Sequence, residues 1–290
     1  MSINGQTKIY GIFGYPVSHT LSPAMQNAAF EALKLNAVYV PFAVRPEKIK
    51  EAVNSLRSLG ISGVNVTMPY KESVIPYLDE VSKEAKLIGA VNTILVSEDG
   101  KTKGYNTDGA GFVNALRKQL RIDPKGKAAF IMGAGGAGKA VAVQLALEGA
   151  KQIYVVDIQK TRAYKLVVSL KRNLHHARIK AVPCVKNEIA RTIADTDILI
   201  NATPIGMKEQ DPLIFDPHAL HQKIVICDLI YKPSMTKLLK AAKARKLRYS
   251  NGLGMLLYQG AAAFTIWTQK QAPIDVMQKA LEREIASQKH

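Results

Sequence analysis

Short apolar segments and amphipathic segments alternate along the first hundred residues of the chain. Four apolar runs have the length and composition of buried strands: Lys8–Gly14, Ala37–Val44, Gly63–Met68 and Ala90–Val96. Between them, apolar side chains recur at helical spacing from Ser22 to about Leu35, with proline in the first turn, and over Glu47–Leu59. Alternating strands and helices predict a mostly parallel sheet that is covered by helices.

The alternation continues through the second half of the chain. A helix is predicted from Asp108 to Leu120, followed by strands at Ala128–Met132, Ile153–Val156, Asp197–Ala202 and Lys223–Leu229. Gly252–Gly254 interrupts the pattern, and helices are predicted at about Met255–Thr268 and Pro273–Ser287. We predict two α/β domains. Residues 1–108 and 253–290 form a substrate domain, and residues 109–252, inserted between them, form a Rossmann dinucleotide-binding domain.

The most informative segment is Gly133–Gly138, which follows the apolar run Ala128–Met132 and reads G-A-G-G-A-G. A helix-forming stretch comes next, and a second apolar run closes on Asp157. In a G-x-G-x-x-G motif the first glycine permits a tight turn, the second lets backbone approach a pyrophosphate, and the third lets helix pack on strand. This order predicts a dinucleotide site, and the alternative is a turn that binds nothing. The expected cofactor-binding residues here are Gly133, Ala134, Gly135, Gly136, Ala137, Gly138 and Asp157.

The same residues also fit the phosphate loop of nucleotide triphosphatases, because Gly133–Lys139 matches G-x-x-x-x-G-K. That loop requires serine or threonine at the next position, where the hydroxyl coordinates magnesium. Position 140 is alanine. A kinase or ATPase is therefore the less favoured interpretation.

Composition and charge exclude several classes of protein. The chain is 47% hydrophobic and 22% charged, as in ordinary globular proteins. No run of about 18 apolar residues predicts a membrane span, and the opening residues MSINGQTK lack the apolar core of a signal peptide, so a cytoplasmic location is expected. The formal net charge is +17, but the basic residues are spread along the chain. That distribution favours solvated helix faces and attraction of anionic small molecules over nucleic-acid binding.

Metal and disulfide chemistry are both disfavoured. Cys184 and Cys227 are the only cysteines, they are far apart, and each lies in an apolar segment. None of the six histidines forms an H-E-x-x-H motif. We therefore expect neither a disulfide framework nor a bound metal.

Polar side chains gather where the predicted strands of the first domain end. The hydroxyls of Thr20 and Ser22 stand near a helix start, where they can hold a carboxylate, and the alternative for Ser22 is a helix N-cap. Further candidates after the later strands are Thr67, Lys71, Asn92, Asn106 and Asp108. Beside a nicotinamide these groups predict an alcohol oxidation, which needs a base. Because no histidine is well placed and the Y-x-x-x-K of short-chain dehydrogenases is absent, a Lys71–Asp108 pair remains.

Eight segments in order, from about Gly11 to Trp267, resemble the motif set of the shikimate dehydrogenases. They are GYPVSHTLSPAMQN, GVNVTMPYK, GAVNT, GYNTDGAG, GAGGAGKA, NATPIGM, DLIYKP and NGLGMLLYQGAAAF. The C-terminal segments are most similar to the quinate/shikimate dehydrogenase branch. The resemblance implies interconversion of shikimate and 3-dehydroshikimate, and also of quinate and 3-dehydroquinate, by an enzyme that is a monomer or a homodimer.

The resemblance also implies roles for individual residues. Lys71 matches the catalytic lysine, and Asp108 matches its carboxylate partner. The implied substrate-binding residues are Thr20, Ser22 and Tyr231 at the carboxylate, and Thr67, Asn92 and Gln259 at the ring hydroxyls, alongside the catalytic pair. On the cofactor, Ala134–Ala137 surround the pyrophosphate, and the residues bordering the nicotinamide side are Thr203, Pro204, Met207, Leu229, Gly252 and Met255.

The chain departs from the family pattern at two places. The family usually has H-S-x-S-P, whereas this chain has threonine at position 20, which keeps the hydroxyl and adds a methyl group. NADP-specific members carry N-R-T-x-x-R after the second dinucleotide strand, whereas this chain has Asp157-Ile158-Gln159-Lys160-Thr161-Arg162. Because Asp157 should accept hydrogen bonds from the ribose hydroxyls and repel a 2′-phosphate, we predict that NAD is preferred, with NADP as a second cofactor. The alternatives are an NADP-specific biosynthetic enzyme without quinate activity and a non-catalytic dinucleotide sensor.

Overall fold

The computed structural model of the protein describes residues 3–288. Within this range the chain forms two compact units. The first unit extends to Thr107 and resumes at Leu256, and the second unit comprises Asp108–Met255. Each unit contains one six-stranded sheet.

The strands fall into two sets of six. In the first unit they are β1 (Lys8–Gly14), β2 (Ala37–Ala43), β3 (Ile61–Val66), β4 (Glu80–Val81), β5 (Thr93–Val96) and β6 (Thr102–Tyr105). In the second unit they are β7 (Ala128–Met132), β8 (Gln152–Val156), β9 (Ile179–Ala181), β10 (Ile198–Asn201), β11 (Val225–Asp228) and β12 (Arg248–Ser250).

The helices cover both units. Those of the first stretch of chain are α1 (Ser22–Ala32), α2 (Ile49–Ser58) and α3 (Lys83–Ile88). The second unit contains α4 (Asp108–Leu120), α5 (Gly136–Leu147), α6 (Lys160–Asn173), α7 (Lys186–Ala194) and α8 (Lys237–Ala244). The chain then enters α9 (Leu253–Thr268), which continues into the first unit, and ends its helices with α10 (Ile274–Ser287). None of the helices within residues 3–288 is both long and apolar enough to span a membrane.

The first sheet is mostly parallel, as predicted. Its strand order is β2-β1-β3-β5-β6-β4, and among these strands β5 alone runs against its neighbours. A tight turn at Asp99-Gly100, where Gly100 has φ +79°, connects β5 to β6, which returns to the direction of the other strands. The chain passes from β1 to β2 on one side and then to β3 on the other. The loops after β1 and β3 therefore leave a topological switch point, the usual position of a binding crevice in such sheets.

The second sheet is a Rossmann sheet, which confirms the predicted class. All its pairings are parallel, in the order β12-β11-β10-β7-β8-β9. If β7 to β12 are renumbered 1 to 6, the order is 6-5-4-1-2-3. Read from the opposite edge, this is the 3-2-1-4-5-6 order of dinucleotide-binding folds. The switch point lies between β7 and β10, and the glycine-rich segment directly follows β7.

Apolar packing fixes the helices of the first unit on its sheet. On α2 the residues Ile49, Val53 and Leu56, spaced at one helical face, join a buried cluster with Val64 and Ile94. Each such side chain contributes about 1.5–3 kcal/mol when it leaves water completely. This burial holds the strands that carry the polar residues described below.

The end of α9 is anchored by an aromatic contact in the same unit. The indole Nε1 of Trp267 donates to the carbonyl oxygen of Ile94 at 2.9 Å, and its ring lies 5.2 Å from that of Tyr10. Gly63 is required beneath it, because a Cβ there would lie 2.5 Å from the indole nitrogen. The contact fixes the helix that bears Gln259.

Several element bounds differ from the sequence expectation. The fourth predicted strand, Ala90–Val96, begins only at Thr93. Val91 instead donates its amide to Lys71 O at 2.7 Å, and Asn92 donates to Tyr105 O at 3.0 Å, outside a regular ladder. Strand β6 is too polar and too rich in small residues for the apolar pattern to reveal.

Candidate active site

The loops that leave the switch point of the first sheet are joined to each other. The amide of Thr67, after β3, donates to Phe13 O at 2.9 Å, and the amide of Tyr15, after β1, donates to Met68 O at 3.3 Å. The first loop leads to Thr20 and Ser22, and the second leads to Lys71. The structure therefore brings these two candidate segments together at one edge of the sheet.

Thr20 and Ser22 form a short turn before α1. The Thr20 amide donates to Val17 O at 3.1 Å, and the Ser22 amide donates to Thr20 Oγ1 at 3.3 Å. Ser22 is the first helical residue and is buried, whereas the N-cap position is Leu21, without a side-chain cap. The N-cap alternative for Ser22 is therefore wrong, and its hydroxyl serves another partner.

That partner is Tyr39, which sequence reasoning missed. The Tyr39 hydroxyl donates to Asn65 Oδ1 at 2.8 Å and also hydrogen-bonds the Ser22 hydroxyl. Its side chain is 1% exposed, and this burial raises the pKa of the phenol far above its usual value, against the smaller effect of Ser22. The phenol is thus a neutral hydrogen-bonding group at every physiological pH. Only its place inside the apolar strand β2 was visible in the sequence.

Asn92 and Gln259 meet although 167 positions separate them. Asn92 Nδ2 donates to Gln259 Oε1 at 3.3 Å and to Thr107 Oγ1 at 2.9 Å. The backbone amide of Thr107 donates to Asn92 Oδ1 at 2.8 Å, which fixes the orientation of the Asn92 amide because a backbone N–H can only donate. Gln259 Nε2 donates to Leu256 O at 2.9 Å within its own helix. Two residues assigned to the ring hydroxyls therefore lie side by side.

Lys71 is held through its backbone next to this pair. Its carbonyl oxygen accepts the amide of Val91, the residue before Asn92, at 2.7 Å. The amide of Tyr70 donates to Thr67 O at 2.9 Å, so a turn of chain connects Lys71 with Thr67. Both Thr67 and Lys71 are half-buried. The first unit thus assembles Thr20, Ser22, Thr67, Lys71, Asn92 and Gln259 around the ends of its strands.

Asp108 opens the second unit as the first residue of α4, where a carboxylate is favoured by the helix dipole. It is 3% exposed. The following Gly109 packs against α5 so closely that a Cβ would lie 2.7 Å from Ala140 O. Because Lys71 belongs to the other unit, the pairing of Lys71 with Asp108 stays a prediction, as do the roles assigned to the other residues.

The glycine-rich segment has the geometry that a dinucleotide turn requires. Gly133 has φ +102°, a conformation that side chains disfavour. A Cβ on Gly138 would lie 2.0 Å from Gly133 O, so only glycine lets α5 approach the turn. In contrast, a Cβ on Gly135 would meet nothing within 4 Å, and this residue precedes the first turn of α5. The space beside Gly135 is therefore open at the start of a helix, where the dipole favours an anion, and pyrophosphate binding there stays a prediction.

Asp157 is bound to this turn. Its Oδ2 accepts the amide of Ala134 at 2.8 Å, and its Oδ1 accepts the amide of Gln159 at 2.8 Å. The carboxylate is half-buried, and the side chain of the next residue, Ile158, is 86% exposed. The acid therefore supports the glycine turn, and its contact with a ribose stays a prediction.

A second polar network stabilises the loop after β10, and among its members sequence reasoning assigned a role to Thr203 alone. Asn201 Oδ1 accepts the Thr203 hydroxyl at 2.7 Å, and Asn201 Nδ2 donates to Asp228 Oδ1 at 3.0 Å. Asp228 Oδ2 accepts the Thr236 hydroxyl at 2.7 Å. Burial raises the pKa of Asp228, while the bonds from Thr236, the Ile230 amide and Asn201 oppose the rise. The sequence did contain a signal for this network, because Asn201 and Asp228 belong to the motifs NATPIGM and DLIYKP.

The remaining residues expected at the nicotinamide lie on loops of the second unit. Met207 is 46% exposed, and its amide donates to Pro204 O at 3.1 Å. The Leu229 amide donates to Asn201 O at 2.9 Å, and a Cβ on Gly252 would lie 2.1 Å from Leu229 O. Met255 is buried at the start of α9. These contacts join the loops after β10 and β11, beside the switch point.

Tyr231, expected at the substrate carboxylate, lies in the second unit, where burial raises the pKa of its phenol. Among residues 3–288, no cluster of three or more His, Cys, Asp or Glu side chains is arranged to hold a metal ion.

Family models match three parts of the chain. The shikimate dehydrogenase substrate binding domain matches residues 12–94, the shikimate/quinate 5-dehydrogenase model matches residues 115–214, and the shikimate 5′-dehydrogenase C-terminal domain matches residues 252–282.

Individual proteins are similar over almost the whole chain. A relative from Desulforamulus reducens, shikimate dehydrogenase (NADP(+)), is 46% identical over 286 residues, and the match covers 98% of both chains. The structure of shikimate 5-dehydrogenase from Listeria monocytogenes in complex with shikimate and NAD has a TM-score of 0.90 at 36% identity, covering 97% of this chain and 98% of its own. Quinate dehydrogenase from Corynebacterium glutamicum in complex with NAD has a TM-score of 0.88 at 31% identity, covering 96% and 99%.

Proposed function

The chain belongs to the shikimate dehydrogenase family, and from this membership we propose that it interconverts shikimate and 3-dehydroshikimate with a nicotinamide dinucleotide. The observation that carries the proposal is the set of buried hydroxyls and amides around the strand ends of the first unit, from Ser22 to Gln259. A ring with one carboxylate and several hydroxyls needs many hydrogen-bonding partners. A buried network supplies them in fixed positions, which lowers the entropy lost on binding.

The residues of this chain divide the work of the reaction. We assign proton transfer to Lys71, whose Nζ takes the hydroxyl proton during oxidation and returns it during reduction, with Asp108 as its partner. Thr20, Ser22 and Tyr231 are assigned to the carboxylate, and Thr67, Asn92 and Gln259 to the ring oxygens. The dinucleotide, when bound along Ala134–Ala137, supplies the hydride acceptor.

NAD is the proposed preferred cofactor, with NADP as a second one. Asp157 places a negative charge at the end of β8, where a 2′-phosphate would add further negative charge, and Coulomb repulsion disfavours that arrangement. Lys160 and Arg162, both exposed in the first turn of α6, offset part of the repulsion. The solved complexes of the Listeria and Corynebacterium enzymes contain NAD, whereas the Desulforamulus relative is named for NADP(+), and this name supports the NADP-specific alternative.

Quinate is the proposed second substrate. Its support is the likeness of the C-terminal segments to the quinate/shikimate branch and the similarity to the Corynebacterium quinate dehydrogenase. Thr20, which replaces the usual serine, alters the space beside the carboxylate and is the residue to examine if the two acids differ.

Initial rates of reduced-cofactor formation test the proposal directly. Shikimate and quinate are each offered with NAD and with NADP, and kcat/KM is compared across the four combinations. Oxidation of both acids with higher kcat/KM for NAD is the expected result. Activity on shikimate alone with NADP preferred would support the NADP-specific alternative and refute the role given to Asp157. No activity in any combination would favour the dinucleotide sensor.

The role of Lys71 has its own test. Lys71→Ala should lower kcat about 10²–10⁴-fold, the usual contribution of general acid–base catalysis, while the Kd for the cofactor stays within about twofold of the wild type. Lys86→Ala removes an equal charge from an exposed site on α3 and serves as the matched control. Near-normal turnover of Lys71→Ala, or an equal loss in the control, would contradict the assignment.

A further inference from the structure

The carboxylate of Asp211 holds the two residues on either side of Met207, and these three residues, 206–208, form the tip of the loop after β10. Asp211 Oδ2 accepts the amide of Gly206 at 2.8 Å and the amide of Lys208 at 3.1 Å. The Asp211 amide donates in turn to Lys208 O at 3.1 Å. Bonds from the Gly206 and Lys208 amides lower the pKa of this carboxyl, so both bonds are charge-assisted at neutral pH. One oxygen atom thus fixes the backbone on both sides of Met207.

Packing alone does not fix the loop tip. Met207 is 46% exposed, and residues 208–210 are exposed as well. Beside the loop lies a cavity of about 20 Å³, which is room for one water, and Gly206 and Asp211 belong to its lining. The Met207 amide makes a turn bond to Pro204 O at 3.1 Å. Hydrogen bonds, rather than apolar contacts, therefore determine where the Met207 backbone lies.

The start of the same loop is anchored independently of Asp211. Asn201 Oδ1 accepts the Thr203 amide at 3.1 Å, and Asn201 Nδ2 donates to Ile205 O at 3.0 Å. These bonds hold the loop as far as Ile205. Loss of the Asp211 carboxylate should therefore loosen the tip around Met207 while β10 and the start of the loop keep their places.

A fixed tip matters for the contact that Met207 is expected to make with the nicotinamide. The methionine side chain is unbranched and has three rotatable bonds, and its thioether packs favourably on aromatic rings. Side-chain freedom is lost when such a contact forms, and a mobile backbone adds a further entropy cost. Asp211 removes that further cost before the dinucleotide binds.

We propose that Asp211 is a positioning residue that acts through Met207 on the nicotinamide half of the dinucleotide, an inference that rests on the proposed function. Asp211→Ala removes the accepting oxygen. The Kd for NAD should rise about fivefold or more, the factor that corresponds to fixing the backbone of one residue. The Kd for ADP-ribose, which lacks the nicotinamide, should stay within about twofold. Titration calorimetry measures both ligands on the full chain, and equal losses for the two would mean a general structural effect and overturn the proposal.

Asp211→Asn separates the hydrogen bonds from the charge. Both amides bond to a single oxygen, so a carboxamide oxygen can replace it while the negative charge is lost. The oxidised nicotinamide ring is cationic, so loss of an attractive charge would weaken NAD binding in both variants. If the hydrogen bonds act, Asp211→Asn should bind NAD within about twofold of the wild type. A loss equal to that of Asp211→Ala would overturn the proposal.

Asp216→Ala is the matched control. Asp216 lies in the same connection between β10 and β11, and its Oδ1 accepts the amide of His218 at 2.9 Å. The substitution removes the same charge and the same kind of bond without touching residues 206–208. The Kd values for NAD and for ADP-ribose should both stay within about twofold. A rise for NAD as large as that of Asp211→Ala would show that any loosening of this connection has the effect, and it would overturn the proposal.

These measurements report binding and do not depend on shikimate turnover. If the wild type binds NAD more tightly than ADP-ribose but does not oxidise shikimate, the proposed function fails, and the ratio of the two Kd values still decides the role of Asp211. If the wild type binds both ligands equally, the nicotinamide gains no contact for Asp211 to support, and the proposal is overturned even when shikimate is oxidised. Where NADP binds more tightly than NAD, the same comparison is made with NADP and 2′-phospho-ADP-ribose.

Discussion

Gly138→Ala and Gly135→Ala should affect the glycine turn in different ways. Helix propensity alone predicts that Gly138→Ala stabilises α5 by about 1 kcal/mol. The structure predicts the opposite, because the added Cβ would lie 2.0 Å from Gly133 O, well inside any tolerated contact. The turn cannot easily retreat, since Gly133 donates to Val156 O at 2.7 Å and Ala134 donates to Asp157 at 2.8 Å.

The magnitude follows from these opposing effects. Overpacking of this kind costs about 1–3 kcal/mol of stability. Because hydrogen bonds hold the turn in place, we expect a cost near the upper value, about 3 kcal/mol. After the gain in helix propensity, the net loss is about 2 kcal/mol. For a unit the size of Asp108–Met255 this corresponds to a melting temperature about 4–8 °C lower.

Gly135→Ala is the matched comparison. Its Cβ would meet no protein atom within 4 Å, so the melting temperature without cofactor should stay within about 2 °C of the wild type. The methyl group would occupy space that a pyrophosphate needs, and the Kd for NAD should rise about tenfold or more. Thermal melting followed by circular dichroism and titration calorimetry with NAD measure the two effects. A wild-type melting temperature for Gly138→Ala, or wild-type NAD affinity for Gly135→Ala, would refute the reasoning.

Two further predictions concern titrating groups. Bonds from the Thr102 amide, the Arg57 guanidinium and the Thr102 hydroxyl lower the pKa of Asp79, so its contribution to stability is present above the pKa of the unfolded chain and is lost as pH falls. Asp79→Asn should therefore reduce the free energy of unfolding at pH 7 by less than about 1 kcal/mol. Denaturant titrations should show that the difference between variant and wild type shrinks below about pH 4. A difference that does not change with pH would contradict this prediction. Burial raises the pKa of Cys227 to about 12, whereas Cys184 is exposed, so a thiol reagent at pH 8 should modify one cysteine in the native protein and both after denaturation. Rapid modification of both cysteines in the native protein would contradict the burial of Cys227.

Some expectations from the sequence were wrong or incomplete for physical reasons. The apolar run Ala90–Val96 suggested a longer strand than β5, because composition does not show that Val91 and Asn92 bond to a loop and to another strand end. Serine before proline suggested an N-cap, but the helix begins one residue earlier than that reading requires. The domain bounds 1–108 with 253–290 and 109–252, and the pairing of Lys71 with Asp108, stay predictions.

The sequence by itself determined the features that depend on neighbouring residues. Alternating apolar runs and helical spacing were sufficient for the α/β class. The motif from Ala128 to Asp157 was sufficient for the glycine turn, because every residue with a role in it lies within one strand–helix–strand unit. Ordered motifs along the chain were sufficient for the family.

Only the tertiary structure decided which polar side chains share a network. Tyr39 reads as one more apolar strand residue, yet its hydroxyl joins Ser22 to Asn65, and Gln259 reaches Asn92 across 167 positions. Such contacts depend on strand order and on the packing of α9, which no local pattern encodes. Hydrogen bonds are short and directional, so a side chain's partner is known only when the chain around it has been placed in space.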